Sequence, residues 1–354
     1  MGTPEKTILG ITRKDLTGTI QKYREKRNIS YRLKDGREVF AKYAKKQSED
    51  FRDNVEGMKQ EARVLKKIES LGITPKVIDF KISPDSKISR LVTDKVPGTS
   101  LDRLDIPEER RDTFIETTIV SSAKSLSRIN AEGVYVVDIN TGTFLVNENG
   151  EDCRVVDLEH AVDSDATSDK QISDAVQFRN LRFEKLGIET PNTIESVRKK
   201  EMYAWAKTML EFISKNFGNI DIINMEISLE ELPRELKIIL EQEIKTATEK
   251  LLPSIREKVT AMLKTERYQE MLKKHYSHHW GKSLKTFDDY FAEQVDKEVG
   301  LGLKKALNFI TLKYTLKYKL EKLGLKLPEQ IVSFLEKCLD VNPNNRPDSF
   351  NDIL

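Results

Sequence analysis

Short apolar runs broken by charge dominate the first hundred residues. "ISYRL" and "EVFAKYA" alternate apolar and polar side chains, the period of a half-buried strand. The "KDGR" between them offers the Asp-Gly pair of a tight hairpin, because glycine accepts positive φ at little cost. The period then changes. In "NVEGMKQEARVLKKIESLG" the residues Val55, Met58, Ala62, Val64, Leu65 and Ile68 gather mainly on one helical face, and Gly72 stands where a helix should stop. Two further strands, "PKVIDFKIS" and "ISRLVTDKV", flank the turn "SPDSK". Residues 19 to 96 therefore read as a small antiparallel sheet with one helix inserted after its third strand.

From there the pattern shifts toward helix. "PGTSLDRL" reads as a crossing segment, and "ERRDTFIETTIVSSAKSLSRINAEG" has the period of a buried helix ending at Gly133. Two short strands follow on each side of "NENG", one from "GVYVVDINTGTFLV" and one from "CRVVDLEHAV". Each holds a carboxylate against apolar neighbours, Asp138 after "VYVV" and Asp157 after "RVV", although a charge beside a core is costly. Either such a run is an ordinary strand, loop and strand with its charge pointing out, or its apolar stretches clamp a loop whose acid has work to do. Helical patterns dominate beyond Lys199, and the stretch of about 219–325 is highly charged, without internal repeat.

Composition narrows the setting. The 354 residues, 38% hydrophobic and 33% charged, suffice for one large core or two smaller lobes. Sixty basic residues against 58 acidic ones give a formal charge of +2, which supplies no reason to expect nucleic acid as a partner. Cys153 and Cys338 lie far apart and form no metal-binding pair, and no window is apolar enough to predict a membrane span or partner. The expectation is a soluble cytoplasmic protein. In "HYSHHW", His275 and His279 share a helical face but lack the acid of a zinc motif, so a surface cluster is expected. "TLKYTLKYKLEKLGLK" reads as an amphipathic helix packed on its neighbours.

Four separated residues carry a resemblance to the protein-kinase-like superfamily. Lys42 in "VFAK" resembles the strand lysine of V-A-I-K, and Glu61 in "KQEARVL" its helix partner. Asp138 is similar to the aspartate of H-R-D and Asp157, in "VVDLE", to that of D-F-G. "KCLDVNPNNRPDSF" is similar to the closing element of protein kinases, with Arg346 as an internal brace. The resemblance implies an α+β, two-lobed fold: a nucleotide-binding N-lobe over 1–96 and a helical C-lobe over 97–354. The latter would hold a catalytic loop (133–146), a metal-binding segment (152–160) and a charged helical insertion (about 219–325).

It implies ATP and Mg2+ as well. Lys42, steadied by Glu61, would hold the phosphates; Asp157 would bind the metal; Asp138 would orient the attacking hydroxyl. The adenine would lie against Asp94, Lys95 and Val96. Departures from the pattern point to substitutes. Val136 and Val137 replace the His and Arg of H-R-D, and Thr143 stands at the metal-binding Asn, with Asn140 as a second oxygen donor. "DINTGTFLV" also resembles the loop of aminoglycoside-kinase-like enzymes. Glu159 replaces the Gly of D-F-G. No glycine-rich phosphate loop precedes Lys42, and Arg24, Lys26 and Arg27 are the side chains that would compensate. The expected reaction transfers a γ-phosphoryl group to a hydroxyl, on a serine or threonine of a protein. The alternatives are a pseudokinase scaffold that binds a partner and a small-molecule phosphotransferase.

Overall fold

The structure, a computed structural model, describes residues 16–22, 28–33, 36–45, 51–82, 88–166, 168–177, 191–279, 286–340 and 342–354. The class is α+β. The chain divides into two compact units: Met1–Ala175 with Ser349–Leu354, and Val176–Asp348. The boundary expected near residue 96 falls inside the first of these, which holds both the sheet and the two acid-bearing loops.

Five strands open the first unit: β1 (Leu16–Lys22), β2 (Asn28–Leu33), β3 (Glu38–Lys45), β4 (Val77–Lys81) and β5 (Ile88–Asp94). They form one antiparallel sheet in the order β1-β2-β3-β5-β4, and helix α1 (Phe51–Lys67) is inserted after the third strand, as the periodicity predicts. The turn "SPDSK" lies outside the described residues.

Strand parity sorts the side chains. Ala41 faces Val92 across the β3–β5 ladder and Lys42 faces Leu91. Val92 and Ala41 pack with Leu33 and Val39 on one side, whereas Leu91 packs with Val55, Met58 and Ala62 of α1 on the other. Successive side chains of a strand point to opposite faces, so Lys42 shares the α1 face with Leu91. Burying each large α1 side chain contributes roughly 1.5–3 kcal/mol, which fixes that helix against the lysine-bearing face.

Helix α2 (Arg111–Ala131) follows two residues of β6 (Thr99–Ser100) and a single 3-10 turn. Its buried stripe includes Phe114, Ile115, Ile119, Leu126 and Ile129, with serines between them. Those serines have a purpose: Ser121 Oγ donates to Gly150 O and Ser125 Oγ to Cys153 O, each at 2.6 Å. The next hairpin is thus bonded directly to the helix. It consists of β8 (Phe144–Val146) and β9 (Cys153–Val155), and β6 pairs with the outer side of β8. Its turn needs Gly150, at φ +78°, where an added Cβ would stand 2.8 Å from Thr118 Oγ1. Two-residue strands β7 (Val134–Tyr135) and β10 (Val162–Asp163) pair antiparallel.

The second unit is helical among its described residues, with α4 (Ile194–Asn216) following the short α3 (Asp169–Gln177) that straddles the boundary. α4 buries Trp205, Met209, Leu210, Phe212 and Ile213. The charged stretch forms α5 (Arg234–Leu263), α6 (Glu266–His279) and α7 (Phe287–Lys322), and α8 (Glu329–Cys338) closes the series. Thr286 and Asp289 make a reciprocal capping box at the start of α7. Arg346 is buried at 5% exposure and braces this unit from within: it donates to Lys199 O at 3.0 Å and Asp340 O at 2.8 Å and lies over the Tyr203 ring. None of the described helices is long and apolar enough to cross a membrane.

Candidate functional site

Lys42, in the middle of β3, extends its ammonium to Glu61 on α1, donating to Oε1 at 3.0 Å and Oε2 at 2.8 Å. A third donor reaches Asp157 Oδ1 at 2.5 Å, 115 residues further along the chain. The ammonium has three N–H groups, and three carboxylate oxygens take them. Glu159 stands close behind, its Oε2 at 3.7 Å from Lys42 Nζ. Three of the residues predicted for the site, Lys42, Glu61 and Asp157, therefore meet, and Glu159 joins them.

Burial sets the electrostatics. Glu61 is 4% exposed, and the Lys42 side chain 13%. For Lys42, burial works against the charged form, but the fields of Glu61, Asp157 and Glu159 outweigh it and hold the ammonium above its ordinary range. Burial pushes the Glu61 carboxyl upward; Lys42 pulls it down, and Asp157 and Glu159 add to the upward side. One ammonium thus faces three carboxylates, which leaves the cluster net negative when all are ionised.

The acid-bearing loops are framed by strands. Val156 N donates to Thr143 O at 2.9 Å and Val155 N to Ile73 O at 2.9 Å, fixing the approach to Asp157. Asp157 itself adopts φ +65°, a left-handed conformation that aspartate tolerates better than most residues but that still carries strain. Beyond it, β10 returns to β7, from which the Asp138 loop departs. Val136 and Val137 are buried at 1% and 4% exposure and anchor that departure, leaving Asp138 half-buried. His160 lies in the fields of both acids. A hydrogen bond to Glu159, opposed by partial burial and helped by Glu159, Asp138 and Asp157, raises its pKa.

The loop after Asp138 closes on itself. Thr143 is fully buried; its hydroxyl accepts from Asn140 N at 3.1 Å and donates to Asp138 O at 3.2 Å. Asn140 Oδ1 accepts from Gly142 N at 2.9 Å, and a Cβ on Gly142 would sit 3.1 Å from that same oxygen. The two predicted oxygen donors thus bond the loop backbone here. Along the crossing segment, Asp94 N donates to Lys76 O and Lys95 N to Glu38 O, both at 3.0 Å. Asp94 Oδ1 accepts from Lys76 N, and Lys95 Nζ donates to Glu38 Oε2 at 2.6 Å. Val96 has a buried side chain, and no described residue bonds its main-chain N–H or C=O. Arg24, Lys26 and Arg27 lie outside the described residues.

The oxygen set suits a hard divalent ion. Glu61, Asp157 and Glu159 offer ligand atoms within 4.8 Å of one another, and their charge exceeds what Lys42 balances. Glu61 is buried with both oxygens on Lys42, whereas Asp157 and Glu159 are the more exposed of the three and so the candidate ligands.

No family model and no curated protein matches this chain.

Sequence reasoning passed over Gln60, Arg63, Lys67 and Asp163, which tie α1 to the segment after Asp157. The spacing of the first three on one helix stripe was a usable signal. Asp163, in "HAVDSD", offered none.

Proposed function

We propose that this chain is a protein-kinase-like phosphotransferase that moves the γ-phosphoryl group of Mg-ATP to a hydroxyl. One observation carries the reading: Lys42, Glu61 and Asp157, from a strand, a helix and a loop 115 residues from the strand, share one ammonium. The sheet order β1-β2-β3-β5-β4, with its helix after the third strand, supports it as well.

Phosphoryl transfer asks a protein mainly for positioning and charge stabilisation. Lys42 supplies a fixed positive charge for the phosphates, and Glu61 keeps its flexible stem aimed at them. Asp157 and Glu159 would hold Mg2+, which supplies further positive charge to the triphosphate. Asp138 accepts a hydrogen bond from the acceptor hydroxyl and orients it. Val96 presents the main-chain groups that an adenine edge would use. The reading of a serine or threonine hydroxyl on a protein rests on the closing element from Cys338 to Arg346.

Nucleotide binding with and without Mg2+, together with transfer of labelled phosphate, tests the proposal. Metal-dependent ATP binding and a transfer rate abolished by Asp138→Ala are expected. A wild-type chain that binds no nucleotide at any Mg2+ concentration overturns it, and binding without turnover favours the scaffold reading.

A further inference from the structure

Helix α1 carries more than Glu61. Gln60, Arg63 and Lys67 recur at i, i+3 and i+7, forming a stripe beside Glu61 along the helix. All three reach the segment that follows Asp157. Gln60 Nε2 donates to Ala161 O at 2.6 Å, Arg63 Nη1 to Ala166 O at 3.1 Å, and Lys67 Nζ to Asp163 Oδ1 at 2.6 Å and Asp165 Oδ2 at 2.7 Å. Arg63 Nε stands 3.9 Å from the other Asp163 oxygen.

Asp163 is the fulcrum. Its side chain is 5% exposed, its carboxylate faces both cations, and its backbone is locked in β10 opposite Val134. A buried carboxylate stripped of its cation is strongly unfavourable, so the contact with Lys67 resists opening. Nearer the start of α1, Gly57 faces Glu159: a Cβ there would make ordinary contact, 3.6 Å from the Glu159 Cβ. Helix and segment are thus joined at several levels along α1.

From this geometry we infer that Lys67, Arg63 and Asp163 are positioning residues that clamp α1 in the register pairing Glu61 with Lys42, so the site assembles without modification of the chain or an outside activator. The inference deepens the phosphotransferase reading and rests on it. Glu61 and Lys67 are anchored about 9 Å apart along the axis, at 1.5 Å rise per residue, which fixes the helix in both rotation and translation. A slip of one residue turns the helix by roughly 100° and breaks both anchors.

The test reads the reactivity of Lys42 toward a limiting acylating reagent, by mass spectrometry, and the amide hydrogen exchange of α1, in the full chain without nucleotide. Lys67→Ala is expected to raise both by about five- to thirty-fold, the span of one or two broken interactions of ordinary strength. Lys67→Arg restores them, and Lys66→Ala, on the exposed face, changes neither. Should Lys67→Ala fail to fold, Arg63→Ala combined with Asp165→Asn takes its place. Those two side chains are 40% and 77% exposed. A smaller rise in the same direction is then expected. Unchanged Lys42 labelling and unchanged exchange in a folded variant overturn the clamp. Because neither readout needs turnover, a wild type inactive toward ATP defeats the proposed function while leaving the clamp measurable, and an active enzyme with unmoved labelling defeats the clamp alone.

Discussion

Lys42 and Asp157, 115 residues apart, meet at 2.5 Å, and the ammonium that joins them is held on its other side by both oxygens of Glu61. This contact couples a sheet, a helix and a loop. Its consequences can be measured without knowing what the protein acts on.

Removing the cation leaves Glu61 buried without its partner. Lys42→Met should destabilise the protein by about 3–5 kcal/mol, the usual loss when one member of a buried pair is deleted. Replacing both, in Lys42→Met with Glu61→Leu, should recover most of that loss. Urea unfolding of the two variants checks it, and a double variant no more stable than the single one would show that Glu61 carries no such penalty.

The acidic excess predicts stabilisation by metal. Mg2+ should raise the melting temperature, by an amount equivalent to about 2.7 kcal/mol at a hundredfold excess over its Kd. Glu159→Gln should weaken that response. His160 is an independent reporter: Glu159, Asp138 and Asp157 hold its pKa above 6.5, so its protonated form favours the folded state below that value and the benefit fades as pH rises through the raised pKa. Mg2+ at the carboxylates should shift the His160 titration downward, as read by NMR. A titration unmoved by Mg2+ would place the ion elsewhere.

Strain at Asp157 predicts a separation of stability from chemistry. With φ at +65°, Asp157→Gly should hold or raise the melting temperature while removing metal binding. Asp157→Val should lower stability by about 1–2 kcal/mol, because a β-branched side chain is tolerated less well than aspartate in left-handed backbone. Calorimetry on both variants settles the sign.

In the second unit, burial pushes Glu336 from 4.5 up to about 7, partly opposed by Lys317. A raised carboxyl pKa stabilises the fold fully below about 4.5 and is lost as pH rises through about 7. Glu336→Gln should therefore be near neutral at pH values below 5 and stabilising, by on the order of 1–3 kcal/mol, at pH 8. Parallel pH-dependent unfolding curves for wild type and variant would refute it.

The sheet and α1 were legible because alternation and helical period each extend over several residues. Lys42 and Glu61 could be named from that pattern together with the family resemblance, and strand parity accounts for why the lysine faces the helix. The smaller frame was not legible. β7 and β10 are two residues each, too short for any period to register, and their pairing joins Tyr135 to Val162 across the chain. Thr143 could be noticed as an oxygen donor, but its burial and its bonds to its own loop depend on tertiary packing that no short stretch of sequence displays. Glu159 is a departure from pattern; its place 3.7 Å from Lys42 comes just after a left-handed residue at Asp157, a conformation that aspartate tolerates without requiring it.

The ladder between β7 and β10 has one more implication. It ties the origin of the Asp138 loop to the end of the Asp157 segment, so the two acids hang from a common crossbar. Thermal drift should carry them together, and their spacing becomes a property inherited from folding instead of one negotiated at each encounter with a ligand.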